Sequence, residues 1–144
     1  MSITTILNRK GANVTTVGAD EPLTDAVALL TREGIGALVV LDGERIAGIL
    51  SERDIVRGLA QEGPSALERR VAELMSRDVT ACPPDAAIND VMATMTNHRI
   101  RHLPVVDEGR LVGIVSIGDV VKHRIDELET ETESLHDYVL GRRY

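Results

Sequence analysis

The chain states one pattern twice. The segment from Thr15 to Asp54 returns without a gap 65 positions later, from Thr80 to Asp119. Asp20, Asp25, Ile35, Leu38, Val40 and Asp42 reappear as Asp85, Asp90, Ile100, Leu103, Val105 and Asp107, and Arg45, Gly48, Ile49, Ser51 and Asp54 reappear as Arg110, Gly113, Ile114, Ser116 and Asp119. Half of a 144-residue chain is only marginally stable by itself, so two like units are expected to pair about an approximate twofold axis. Such an interface has clefts lined by both copies, and matched polar groups at the end of each copy would furnish two related sites.

Composition removes several function classes. A hydrophobic fraction of 43% and a charged fraction of 27% belong to a globular chain, not a disordered one. The net charge of −7, without a basic stripe, argues against nucleic acid as a partner, because that binding needs clustered Lys and Arg to displace counterions. Cys82 is the one cysteine, so no intrachain disulfide framework exists. With no signal-peptide core and no membrane-spanning run, the expectation is a cytoplasmic protein without a membrane partner. Tyr138 and Tyr144 are the only aromatics, so a flat ligand ring would have to lie between aliphatic side chains.

Periodicity gives the elements. Ile3, Ile6 and Leu7 mark a short leading helix that stops at Gly11. The first unit then reads as a strand over residues 13–17 and a helix carrying Leu23, Ala26, Val27 and Leu30. A hairpin follows, with residues 37–41 and 45–50 turning at Asp42-Gly43, and a helix from Ser51 to Ala60. Residues 61–65 are a linker and 67–74 a short helix or turn. The second unit repeats the order with a strand over 78–82, a helix over 87–97, a hairpin of 102–107 and 110–116, and a helix from Ile117 onward. Pro104 requires its strand to be short or at an edge. The resulting division is 1–66 for the leading helix and first unit, 67–124 for the second unit, and 125–144 for a helical extension. That extension continues a heptad-like seam, Val121, Ile125, Leu128, Thr132, Leu135 and Val139, which either covers its own domain or contacts another subunit.

Each hairpin ends in Gly-Ile-x-Ser-x-x-Asp directly before a helix: Gly48 to Asp54 and Gly113 to Asp119. Ser-x-x-Asp is the spacing of a capping box, which alone accounts for the Ser and the Asp. Capping does not account for Gly48 and Gly113, which weaken a strand unless something approaches its backbone closely. A helix N-terminus also suits phosphate, whereas the Asp suits a neutral diol. The constellation fits a nucleotide better than free phosphate.

These features together resemble a tandem pair of CBS domains, the unit often called a Bateman module, over roughly residues 14–124. The resemblance rests on the gapless repeat, on Ala37-Leu38-Val39-Val40 and His102-Leu103-Pro104-Val105-Val106-Asp107, and on both Gly-Ile-x-Ser-x-x-Asp ends. It implies an α/β (α+β) fold of two β-α-β-β-α repeats whose clefts bind adenosine compounds: AMP, ADP, ATP, S-adenosylmethionine derivatives or NAD. By the family pattern the Asp contacts ribose, the Ser lies by the phosphates and the Ile helps hold the base. That assigns Asp54, Ser51 and Ile49 to one site, with Thr80 and Ile100 from the opposite repeat. It assigns Asp119, Ser116 and Ile114 to the other, with Thr15 and Ala37 opposite. Arg53, Arg101 and His102 stand where the other copy has Gly118, Gly36 and Ala37, so they are candidates for phosphate contact and the sites need not be equivalent.

No enzyme is indicated. Ser51 and Ser116 lack a histidine whose position compels a catalytic arrangement, and Cys82 reads as core filler. His98 and His102 straddle a change of element, so a metal site is not expected, and no phosphate-binding glycine fingerprint occurs. The expected function is a sensor that binds an adenine nucleotide and signals to an unknown protein target, with homodimerisation implied by the resemblance. A constitutive scaffold whose Ser and Asp only cap helices remains the alternative, and a small hydrolase a lesser one.

Overall fold

A computed structural model describes residues 1–11 and 13–141; residues 142–144 of the expected extension lie outside them. The elements are helices α1 Ile3–Lys10, α2 Leu23–Glu33, α3 Glu52–Glu62, α4 Val71–Leu74, α5 Ile88–His98 and α6 Ile117–Val139. The strands are β1 Thr16–Gly18, β2 Ala37–Asp42, β3 Arg45–Ser51, β4 His102–Asp107 and β5 Arg110–Ser116, with a 3₁₀ segment over Gly63–Glu68. β1 pairs parallel to β2, and β2 antiparallel to β3. In the second unit β4 pairs with β5 alone. Both hairpins carry a register shift at the same repeat position, Val40/Leu41 and Val105/Val106, so the duplication extends to backbone irregularities.

The strand expected over residues 78–82 does not form. A single parallel bridge remains, in which the Cys82 N–H donates to the Pro104 carbonyl at 3.0 Å and the Val106 N–H donates to Cys82 at 2.9 Å. Pro104 has no N–H to return, and Pro83 and Pro84 end the ladder on the other side. β4 is an edge strand, as its proline demands.

Each unit has its own apolar core. Val17, Leu23, Ala26, Leu30, Leu38, Val40 and Leu50 form the first. Cys82, Ile88, Val91, Met95, Leu103, Val105, Val115 and Val120 form the second. The segments that lead into the repeats are exchanged between these cores. Ile3, Ile6 and Leu7 of α1 lie in the second core, and Val71 and Met75 of the α4 segment lie in the first. Backbone hydrogen bonds seal both exchanges in the same way: Ile3 N–H to Ala86 O at 3.0 Å matches Val71 N–H to Glu21 O at 2.9 Å. Ile88 N–H to Met1 O at 3.2 Å likewise matches Leu23 N–H to Arg69 O at 2.8 Å.

The exchange explains the two strand glycines. A Cβ on Gly48 would lie 2.5 Å from the Ser76 carbonyl oxygen and 2.9 Å from Met75 Sδ; one on Gly113 would lie 2.6 Å from Leu7 Cδ2. The close approach comes from the exchanged segment, not from a ligand.

α6 turns Val120 and His123 inward, while Val121, Ile125 and Leu128 of the expected seam stay 46%, 49% and 44% exposed. The seam therefore does not cover its own domain. No helix among the described residues is long and apolar enough to cross a membrane.

Gly48→Ala should cost about 1–3 kcal/mol in urea denaturation, because a backbone oxygen cannot retreat as a side chain can. Gly113→Ala should cost less, since Leu7 can rotate. The opposite ranking would contradict the packing described.

Candidate functional site

β3 and α3 of the first repeat meet at Ser51. The Ser51 N–H and hydroxyl donate to Asp54 Oδ2 at 2.9 and 3.1 Å, and the Asp54 N–H donates to Ser51 Oγ at 3.3 Å. The capping box is thus complete, and it holds the carboxylate in one rotamer at only 8% exposure. Asp54 Oδ1 is left with Arg57 Nη1 at 3.8 Å, beyond hydrogen-bond reach, so this oxygen remains an acceptor. At the start of α3 the Glu52 N–H is also spent, on Gly36 O at 3.0 Å, which leaves the Arg53 N–H as the unclaimed donor of the first turn.

A cavity of about 400 Å³ opens here, within the range of small-molecule sites. Ile49, Ser51, Arg53 and Asp54 line it from the first repeat, and Thr80, Ile100, Arg101 and His102 from the second. The five residues assigned to the first site therefore border one space between the repeats, together with the three phosphate-contact candidates Arg53, Arg101 and His102. Ser76 and Asp78 complete the rim, where the Ser76 backbone bridges Ile49 through bonds of 3.0 and 2.8 Å.

The cavity wall also holds Arg57 and Arg99, which the motif reading missed. Arg57 lies four residues after Arg53 on the same face of α3, a spacing that was legible. Arg99 ends α5 in a left-handed conformation (φ 54°, ψ 41°), where the first repeat ends α2 with Gly34 (φ 63°). A non-glycine residue here carries backbone strain, and such strain collects at functional sites. Four arginines thus face three carboxylates, Glu52, Asp54 and Asp78, in a chain of net charge −7. Among the described residues Arg53, Arg99 and Arg101 form no ion pair or side-chain hydrogen bond, so their charges are uncommitted. Burial, and then the nearby Lys10 charge, hold the His102 imidazole below its ordinary pKa, leaving it neutral at pH 7.

The second set behaves differently. Ser116 and Asp119 form the equivalent capping box, with Ser116 N–H to Asp119 Oδ2 at 2.9 Å and Asp119 N–H to Ser116 Oγ at 3.1 Å. Lys10 Nζ already donates to Asp119 Oδ2 at 2.6 Å and to the Ile114 carbonyl at 3.0 Å. Burial alone would raise the Asp119 carboxyl, but the hydrogen bonds from Lys10 and Ser116 hold it below the usual carboxylate range. Ala37 is 4% exposed and belongs to the core. Of the five residues assigned to this site, Asp119 alone borders the second, smaller cavity of about 110 Å³, while Thr15, Ile114 and Ser116 do not. The structure brings the first set together around an open space and not the second. Cys82 is buried, and burial pushes its thiol pKa up, away from nucleophilic use.

The chain is similar to known proteins in sequence and in fold. The family model described as the CBS domain matches residues 5–61 and 71–126. The mitochondrial CBS domain-containing protein CBSX3 of Arabidopsis thaliana is 35% identical over 127 residues, 85% of this chain and 62% of that protein. This chain therefore spans less than two thirds of that relative. A putative signal-transduction protein with CBS domains from Burkholderia ambifaria superposes with a TM-score of 0.84 at 42% identity, covering 88% of this chain and 95% of its own. The CBS domain pair of protein MJ0100, solved in complex with 5′-methylthioadenosine and S-adenosyl-L-methionine, superposes with a TM-score of 0.79 at 26% identity over 88% of this chain and 98% of that one. With two repeats matched in sequence and the pair matched in structure, this chain belongs to the CBS-domain family as a tandem pair.

Proposed function

We propose that the protein is a non-catalytic sensor that binds an adenosine-containing nucleotide in the first cleft and passes its occupancy to a protein target. The observation that carries this reading is the convergence of Ile49, Ser51, Arg53 and Asp54 with Thr80, Ile100, Arg101 and His102 around one cavity. In it, Asp54 Oδ1 accepts from the ribose diol, and Ile49, Thr80 and Ile100 enclose the base. Arg53, Arg99, Arg101 and His102 take the phosphates. Because the Glu52 and Asp54 N–H groups of the α3 first turn are spent and the Arg53 N–H alone is left, side chains hold most of the anion's charge. Three uncommitted arginines favour a polyphosphate, ADP, ATP or NAD, over AMP. The MJ0100 complexes support an adenosine compound as the class.

The exposed apolar stripe of α6, with Val56 of α3 at 63% exposure, supports pairing of two copies through these helices. Ligand shifts the assembly only if it binds one arrangement of the repeats more tightly than another.

Three outcomes test this. ATP at about a hundred times its dissociation constant should add roughly 2.7 kcal/mol, a rise in Tm of roughly 5–10 °C, and Asp54→Asn should abolish the shift. A capping role alone predicts a loss of about 0.5–2 kcal/mol in the free protein and no ligand effect to lose. Arg99→Gly should weaken ATP about tenfold by calorimetry, leave adenosine binding unchanged, and leave the free protein as stable or more so. A phosphate beside His102 stabilises the imidazolium, so binding takes up a proton: ATP affinity should rise as pH falls from 8 to 6 more steeply in the wild type than in His102→Gln. Equal slopes would remove His102 from the phosphate site.

A further inference from the structure

The two clefts differ in what covers the backbone of the motif isoleucine. At Ile49 a main-chain bridge does so: its N–H donates to Ser76 O at 3.0 Å and its carbonyl accepts from Ser76 N–H at 2.8 Å. At Ile114 the corresponding carbonyl accepts from the Lys10 ammonium at 3.0 Å, and the same nitrogen holds Asp119 at 2.6 Å. The difference follows from helix length. The chain leaves α4 at Leu74, and the next residues, Met75 and Ser76, cross the strand at Gly48. α1 instead packs Leu7 against Gly113 and continues to Lys10, which carries the side chain over the cleft.

We propose that Lys10 is a built-in and removable occupant of the second cleft, so that the chain binds one nucleotide, in the first cleft, and the second accepts a nucleoside only when the ammonium leaves Asp119. The inference rests on reading the clefts as adenosine sites. Three observations carry it. Both hydrogen bonds of the plug pass through one nitrogen on a flexible, one-third exposed side chain, so it can withdraw without unfolding the strand, whereas the Ser76 bridge cannot. It bonds the carboxylate oxygen already shared with the Ser116 N–H, which sets an ammonium beside the carboxylate that a ribose would need while the other oxygen, Oδ1, stays uncapped. Finally, Arg53, Arg99, Arg101 and His102 have Gly118, Gly34, Gly36 and Ala37 as counterparts, and only Arg57 has a basic one, Lys122. The unplugged cleft would therefore suit an uncharged nucleoside, not a polyphosphate.

Calorimetry on the full chain with ATP and adenosine as probes tests this. Wild type saturated with ATP should take up no adenosine; Lys10→Met saturated with ATP should bind one adenosine per chain; and Lys10→Met with Asp119→Asn should lose it. Adenosine binding by the ATP-saturated wild type, or none by Lys10→Met, overturns the proposal. Failure of the wild type to bind ATP would overturn the nucleotide reading of the first cleft instead. Amide exchange without any ligand keeps the plug separately testable: residues 4–10 should exchange about fivefold faster in Lys10→Met. Unchanged exchange would mean that the ammonium restrains nothing, and also overturns the proposal.

Discussion

The arrangement depends on the mutual exchange of the segments that precede the repeats. Ile3, Ile6 and Leu7 complete the core of the second unit, and Val71 and Met75 complete that of the first. Neither unit of roughly seventy residues buries enough apolar surface by itself, so each borrows a wall from the stretch of chain that introduces the other. The strand glycines are the local condition for this. A side chain at Gly48 would displace the Ser76 backbone from the strand it bridges.

From that constraint the clefts follow. Crossing the strand at Gly48 brings Ser76 and Asp78 to the rim of the first cavity and delivers Thr80 to its wall. The same crossing at Gly113 is made by a helix, which runs on and ends with a lysine over the equivalent carboxylate. A duplicated chain thereby acquires two unlike clefts from a local difference in helix length. The capping boxes remain alike, with serine and aspartate bonded to each other in both copies. Capping and ligand contact are compatible roles for this pair, because a box uses one carboxylate oxygen and leaves the second.

Much of this was legible in the sequence. Apolar spacing located the helices to within a few residues, and the turn residues located both hairpins, because these signals are local. The strand over residues 78–82 was misread since its apolar pattern copies residues 13–17, while the prolines that forbid the ladder lie outside the copied positions, at 83, 84 and 104. The first cleft was legible through departures from the repeat: Arg53, Arg101 and His102 replace small residues of the other copy. Arg99 departs from Gly34 in the same way, but a glycine at a helix end is so ordinary that its replacement carried no flag. Lys10 lay before the repeat and had no counterpart to be compared with. The glycines had asked for a close neighbour, and the neighbour proved to be the chain itself.

The exchanged packing also orders events during synthesis. The first core cannot close until Met75 has left the ribosome, some twenty residues after its last helix begins at Glu52. α1 is made well before the core it joins and docks late, since its partners extend to Val120. Its apolar face must stay uncovered while the intervening hundred residues are translated, a window in which a chaperone, or a neighbouring nascent chain, can bind it.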